Sequence, residues 1–433
     1  MEKVPEKFLH YLWKYRLFEE KKLQTTDGEN LKVIDVGLPN PDSGPDFQNA
    51  KIKIGNTLWV GNVEIHLNSS DWYHHGHDSD KAYDNVILQV VLSNNQEVKR
   101  TTGETIPTTE LKFPEKLFRN YKNLLENEAW VACEGTLQTV DPFIIDFWLS
   151  KLTIERLEDK SREIEKELKE NQNNWETTFY HKLARNFGFK VNSEPFELLA
   201  KSLPLKVVTK HKDSLFQLEA LFFGQAGFLD QMVIHDPYHQ QLFKEYQYLK
   251  KKWHLKPMEK HLWKFARLRP GNFPTVRIAQ FCALIHQSSR LFSHILEKKD
   301  LRAMKRLFKA ETSVYWQTHY RFSKETRKKQ KNLGENAFHI LVINTLVPFL
   351  FLYGQKHNKQ AFKERALDFL LKLPPEKNSI IRKWQKVGID SSNAYYTQAL
   401  LQLKNNYCNN KRCLDCQVGN ALIKKTEHAK KDQ

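Results

Sequence analysis

Two periodicities divide the chain. Up to about residue 113 apolar positions mostly alternate with polar ones in short runs, and beyond it they recur every three or four residues. Residues 6–22 are the exception in the first part: Phe8, Leu9, Leu12, Trp13 and Tyr15 to Phe18 fall near helical spacing and predict an opening helix. Thr26-Asp27-Gly28 signals a turn, and Leu31–Val36 a short strand. Ala50, Ile52 and Ile54 alternate with Lys51 and Lys53, Gly55-Asn56 turns the chain, and Val63, Ile65 and Leu67 alternate with Glu64, His66 and Asn68. Glu64 and His66 therefore share one face of a strand. Asn85–Leu92 is almost continuously apolar, the pattern of a strand at the buried centre of a sheet, and Ile106–Leu111 reads as one more strand.

From Pro114 onward the pattern is helical. Phe143–Asn171 predicts a long amphipathic helix whose second half carries i,i+4 charge pairs. Further helices are expected over Trp175–Phe187, Phe196–Ser202, Leu215–Leu229, Tyr238–His254, Val276–Glu297, Phe338–Tyr353, Lys359–Leu373 and Asn393–Asn406, separated by Pro and Gly punctuation. The fold class is α+β: a small N-terminal mixed-sheet module, residues 1–113, followed by an α-helical body, residues 114–433. Phe338–Tyr353 is the most apolar stretch, but it contains His339, Asn344 and Pro348 and is short for a bilayer, so it reads as a buried helix and no membrane partner is expected.

Charge follows the same division. The chain has 68 Lys and Arg against 51 Asp and Glu, a net charge of +17. Residues 1–113 hold 13 basic and 17 acidic residues, leaving 55 against 34 for the rest. A mildly acidic module precedes a basic body, and a basic body attracts polyanions, nucleic acid first among them. The charged N-terminus has no uninterrupted apolar run like that of a signal peptide, and five cysteines, three near the C-terminus, do not form a secreted disulfide framework. A reducing, cytoplasmic setting is expected.

Candidate chemistry concentrates between Gly44 and Val91. Pro45-Asp46 precedes Glu64-Ile65-His66 by eighteen residues, and Asp71, His74, His75 and His77 follow. Acids on adjacent short strands suit a hard divalent cation, Mg²⁺ or Mn²⁺. His75-Gly76-His77, completed by Glu64 or Asp71, would instead suit Zn²⁺ in an open three-ligand site. The runs GPDFQNAKIKI, WVGNVEIHLNSSDWYHHGH, EALFFGQAGFL, RLRPGNFPTVRIAQ, INTLVPFLFLYG and YCNNKRCLDCQVGN resemble the DUF2851 family of bacterial proteins, which implies no particular activity. Pro45-Asp46 followed by Glu64-x-His66 is also similar to the PD-(D/E)xK nuclease core. That resemblance implies a restriction-endonuclease-like sheet with Asp46 and Glu64 on the metal, the Ile65 carbonyl beside them, and His66 where the family has its water-positioning Lys. DWYHHGH is similar to the histidine-rich stretch of very-short-patch repair endonucleases, which implies a helper role for His75 or His77. The expected function is a metal-dependent nuclease or a nuclease-derived nucleic-acid-binding protein. The alternatives are a zinc-dependent hydrolase and a non-enzymatic helical interaction protein with a structural His-rich sheet.

Two features lie outside that stretch. Cys408, Cys413 and Cys416 fall within nine residues, a chelating spacing for zinc or an iron–sulfur cluster, with Cys133, Cys282 or a histidine open as the fourth ligand. The spacing resembles the cysteine staple of some helicase-associated nucleases, although Cys133 lies after the strands rather than before them. Arg267, Arg269 and Arg277 surround a Pro-started helix and are candidate phosphate contacts.

Overall fold

The structure is a computed structural model that describes residues 4–233, 235–288 and 290–425. The α+β expectation holds: a mixed sheet near the N-terminus is followed by many helices. The chain forms two compact units, one of residues up to 148 together with those from 403 onward, the other of residues 149–402. The composition shift near residue 113 thus falls within the first unit.

In the first unit, helix α1 (Glu6–Lys14) buries Phe8, Leu9, Leu12 and Trp13 on one stripe, with Glu6 in its first turn and Lys14 in its last, the signs that suit the helix dipole. It is shorter than its apolar pattern suggested. Arg16 turns left-handed at φ 52° and donates its N–H to the Trp13 carbonyl, closing the helix before residue 17. Strands β1 (Leu31–Asp35), β2 (Leu38–Pro39), β3 (Phe47–Ile54), β4 (Thr57–Asn68), β5 (Val86–Ser93) and β6 (Thr108–Glu110) form one sheet. Its order is β1-β3-β4-β5-β6, with β2 paired to β3. The pairs β1–β3 and β3–β4 are antiparallel, whereas β4–β5 and β5–β6 are parallel.

The β3–β4 hairpin closes at Gly55, whose φ of 56° is left-handed. The chain crosses from β4 to β5 through α2 (Asp71–His74) and a 3₁₀ turn, and enters β5 close against β4. A Cβ on Gly61 would lie 2.4 Å from the Ile87 methyl and 2.7 Å from the Asn85 carbonyl, so only glycine fits there. As its continuous apolar run predicted, β5 is buried along its first six residues. Trp72 is core, fully buried against Val86, Val98 and Ile106, whereas Trp59 is partly exposed. Helix α3 (Glu115–Glu126), the start of α4 (Pro142–Glu170) and the segment from residue 403 complete this unit.

The second unit continues α4 and packs α5 (Trp175–Phe187), α6 (Ser193–Ser202), α7 (Leu205–Lys210), α8 (Leu215–Gln225), α9 (Pro237–Trp253) and α10 (Pro274–Gln287) with later helices around one aromatic-rich core. Helix α10 is buried from Pro274 through Ile285, the signature of a central helix. The single helix expected over 276–297 is two, Pro274–Gln287 and Leu291–Glu297. Ser288 leaves helical geometry at ψ 112°, and its hydroxyl bonds His294 Nδ1 at 2.6 Å. The apolar stretch around Phe338 belongs to a helical run, Glu335–Lys356, long and apolar enough to cross a membrane but mostly buried in this unit. A π turn at Val342–Leu346 accommodates Pro348, which has no N–H for the residue 344 carbonyl.

Candidate metal centre

The sheet brings the first acids together by register. Phe47 pairs with Val63, so Asp46 falls opposite Glu64 at the mouth of the β3–β4 ladder. The Asp46 N–H donates to Glu64 Oε2 at 3.0 Å, and the Ile65 N–H donates to Asp46 Oδ2 at 3.0 Å. Burial and the neighbouring Glu64 charge push the Asp46 carboxyl up to about 7. Two acids eighteen residues apart are thus locked side by side, partly shielded from water.

Helix α1 packs on β4 and adds a residue that the sequence pattern did not flag. His10 Nε2 lies 3.4 Å from Asp46 Oδ2, is screened from solvent and makes no hydrogen bond. Burial lowers its pKa, while the Ile65 backbone beside it works the other way, as a carbonyl facing an imidazole does. Glu6, one turn earlier, approaches His10 at 3.9 Å, and its own pKa is raised by burial and by the Glu64 charge. The His10 imidazole, two facing carboxyls and a backbone carbonyl therefore share one corner of the fold.

The histidines occupy the other side of Glu64. His77 Nε2 is 3.3 Å and His66 Nε2 3.6 Å from Glu64 Oε1, and His75 Nδ1 is 3.2 Å from His66 Nε2. One ring nitrogen each from His66, His75 and His77 lie within 4.8 Å of one another. His66 is 1% exposed, and burial with the neighbouring histidines depresses its pKa to about 3, so the ring is neutral across the physiological range. Its tautomer follows from Gln89. The Ser69 carbonyl can only accept, which turns the Gln89 amide nitrogen toward it at 3.2 Å, and the same nitrogen faces His66 Nδ1 at 3.1 Å. His66 Nδ1 accepts, so Nε2 carries the proton and points at His75. A metal on His66 Nε2 would require Gln89 to set its amide oxygen against the Ser69 carbonyl, so the three rings fit a zinc ion less well than their spacing suggests. As placed, His66 is an N–H donor rather than a base.

His77 is wedged against Tyr83, whose ring stacks on it at 3.8 Å between centroids. Burial and the Glu64 and Asp46 charges push the Tyr83 hydroxyl up to about 12. Asp71 accepts the Asn68 N–H at 3.0 Å and pairs with exposed His74 at 3.3 Å, so both serve the turn that carries His75 and His77.

The remaining sequence candidates lie elsewhere. Arg267 and Arg269 are exposed, but Arg277 is 7% exposed. Its guanidinium donates to Gln280 at 2.8 Å and Asn272 at 2.6 Å and stacks on Phe189. The three arginines do not form one exposed phosphate cradle, because α10 carries Arg277 into the interior. Cys408, Cys413 and Cys416 line one pocket in the first unit, and Cys133 joins them.

A family model described as "Protein of unknown function (DUF2851)" matches residues 6–379, and the chain belongs to that family. The match takes in α1, the sheet and most of the helical unit, and stops before the C-terminal cysteines. Neither the comparison with curated proteins nor that with solved structures found a match.

Proposed function

We propose that the protein is a metal-dependent phosphodiesterase acting on nucleic acid, with Asp46 and Glu64 as carboxylate ligands of Mg²⁺ or Mn²⁺. The observation that carries this reading is the convergence of both carboxyls with His10 Nε2, 3.4 Å from Asp46, and the Ile65 carbonyl. The repulsion that raises the Asp46 pKa is what a divalent cation relieves, and the added imidazole nitrogen tilts the donor set toward Mn²⁺. Such an ion would polarise the phosphodiester and lower the pKa of a bound water. His66, kept neutral by burial and its neighbouring histidines and fixed in tautomer by Gln89, presents an N–H that orients a water or a phosphate oxygen. His75, exposed and next to His66, is the ring placed to exchange a proton with solvent. The basic excess beyond residue 113, with Arg267 and Arg269 among its exposed cations, supports a polyanionic substrate.

Zinc bound by His66, His75 and His77 is the second reading, favoured by their ring-nitrogen spacing. One assay separates the two: cleavage of plasmid, single-stranded DNA and RNA with Mg²⁺, Mn²⁺ or Zn²⁺. We expect Mg²⁺- or Mn²⁺-dependent cleavage that drops on the order of 10³-fold in Asp46→Ala and in Glu64→Ala. Zinc-only cleavage that survives Asp46→Ala and disappears in His77→Ala would establish the second reading. No cleavage with any metal, or cleavage that survives both acid substitutions, overturns the enzyme and leaves a helical binding protein.

A further inference from the structure

The fold settles which residue joins the three C-terminal cysteines. Cys282 is fully buried in α10 of the second unit, among its aromatic core. Cys133, 275 residues before Cys408 in the chain, lines the same small pocket as Cys408, Cys413 and Cys416, together with Leu124, Tyr407 and Gly419. No disulfide ties any of them. Burial first, and then neighbouring cysteines, oppose ionisation of Cys133, Cys408 and Cys413, as expected of sulfurs that line one pocket.

The surroundings suit thiolates. The Val418 and Gly419 N–H groups and the Trp148 indole are directed at the Cys416 sulfur. Donors of this kind stabilise a sulfur that carries charge and tune metal centres bound through sulfur. Lys404 approaches Cys408 and Lys411 approaches Cys413, each favouring the thiolate. The backbone is shaped to match: a Cβ on Gly419 would lie 2.1 Å from the Cys413 carbonyl, so only glycine lets the last described helix, Gln417–Lys424, close on the cysteine loop. One buried and three half-buried thiols, neighbouring cations and N–H donors aimed at sulfur form an ill-satisfied pocket unless something draws off their protons.

We infer that Cys133, Cys408, Cys413 and Cys416 form a tetrathiolate metal site, for a zinc ion or an iron–sulfur cluster. Loading it releases the four thiol protons. The site is independent of the chemistry proposed at Asp46 and Glu64.

The test is made on the full chain, expressed with ample iron and purified without oxygen, by measuring iron, acid-labile sulfide and zinc per chain beside the visible absorption spectrum. We expect bound metal, either zinc alone or iron with sulfide, reduced at least fivefold in Cys133→Ser and in Cys416→Ser and unchanged in Cys282→Ser. Should the single variants aggregate, iron and sulfide reconstitution of stripped wild-type protein, followed by the same spectrum, gives the answer without a substitution. No metal before or after reconstitution, or metal that survives Cys133→Ser, overturns the inference.

Discussion

Glu219 in the helical unit and Asp46 in the sheet unit both have their carboxyl pKa pushed up to about 7, and the two sites are built in opposite ways. Glu219 is fully buried, and its Oε2 accepts from the Tyr238 hydroxyl at 2.5 Å, the Trp316 indole at 3.1 Å and the Ser313 hydroxyl at 3.2 Å. Every one of those donors is neutral, and burial is what raises the pKa. Asp46 is raised by burial and by a second carboxylate, and it faces a histidine nitrogen with no hydrogen bond. In the first arrangement neutral donors saturate Oε2, while Oε1 is buried without a hydrogen-bond partner and no second charge lies beside it for a cation to balance. The second improves on gaining a cation. A perturbed pKa therefore marks a site only when the atoms around it are ones that a ligand would satisfy.

The sharpest break of this comparison removes the Glu219 carboxyl. Glu219→Ala strands the buried Trp316 indole and the half-buried Tyr238 and Ser313 hydroxyls and is expected to lower the unfolding free energy by about 3 kcal/mol in urea denaturation, while Mn²⁺ affinity of the folded protein stays unchanged. Next in size is pH. The folded pKa of Asp46 lies above its ordinary value, so its contribution to stability is full below about pH 4 and is lost as the pH rises toward 7. Cation affinity runs the other way, because protons compete for the same oxygens. Mn²⁺ affinity measured by calorimetry should fall about a hundredfold from pH 7 to 5, and Glu64→Gln, by removing the repelling charge, should flatten that slope. The smallest effect is that of His10→Ala. It should weaken Mn²⁺ binding about tenfold yet change stability by less than about 1 kcal/mol, since the half-buried ring gives up only its 3.4 Å approach to Asp46 and its contact with the Ile65 backbone. An unchanged affinity would place His10 with the structural residues.

How much of this was legible beforehand depended on whether the signal was local. The alternation around Glu64 and His66, the Gly55 turn and the apolar run of β5 are properties of neighbouring residues, and each produced its strand. Asp46 and Glu64 were legible as a pair because a hairpin register joins them. His10 was not. In the sequence it is one polar residue on an amphipathic helix, paired with Glu6 at i,i+4 like any solvated face, and only the packing of α1 on β4 brings it to Asp46. The fate of Arg277 was hidden for the converse reason. Its helix looked amphipathic, but tertiary packing buried it on all sides and took the guanidinium inside. The fourth cysteine needed a contact across most of the chain, which no local spacing encodes.

That long reach has a consequence in time. The sheet, α1 and the paired acids are all specified by the first third of the chain, but the unit they belong to is finished only by residues from 403 onward. At ordinary rates of synthesis roughly 10–50 s separate the emergence of Cys133 from that of Cys408. Throughout that interval Cys133 waits without its three partners while the helical unit is made. Closure of the four-cysteine pocket is therefore a completion mark: a chain cut short anywhere in the second unit can build its sheet but can never assemble that pocket.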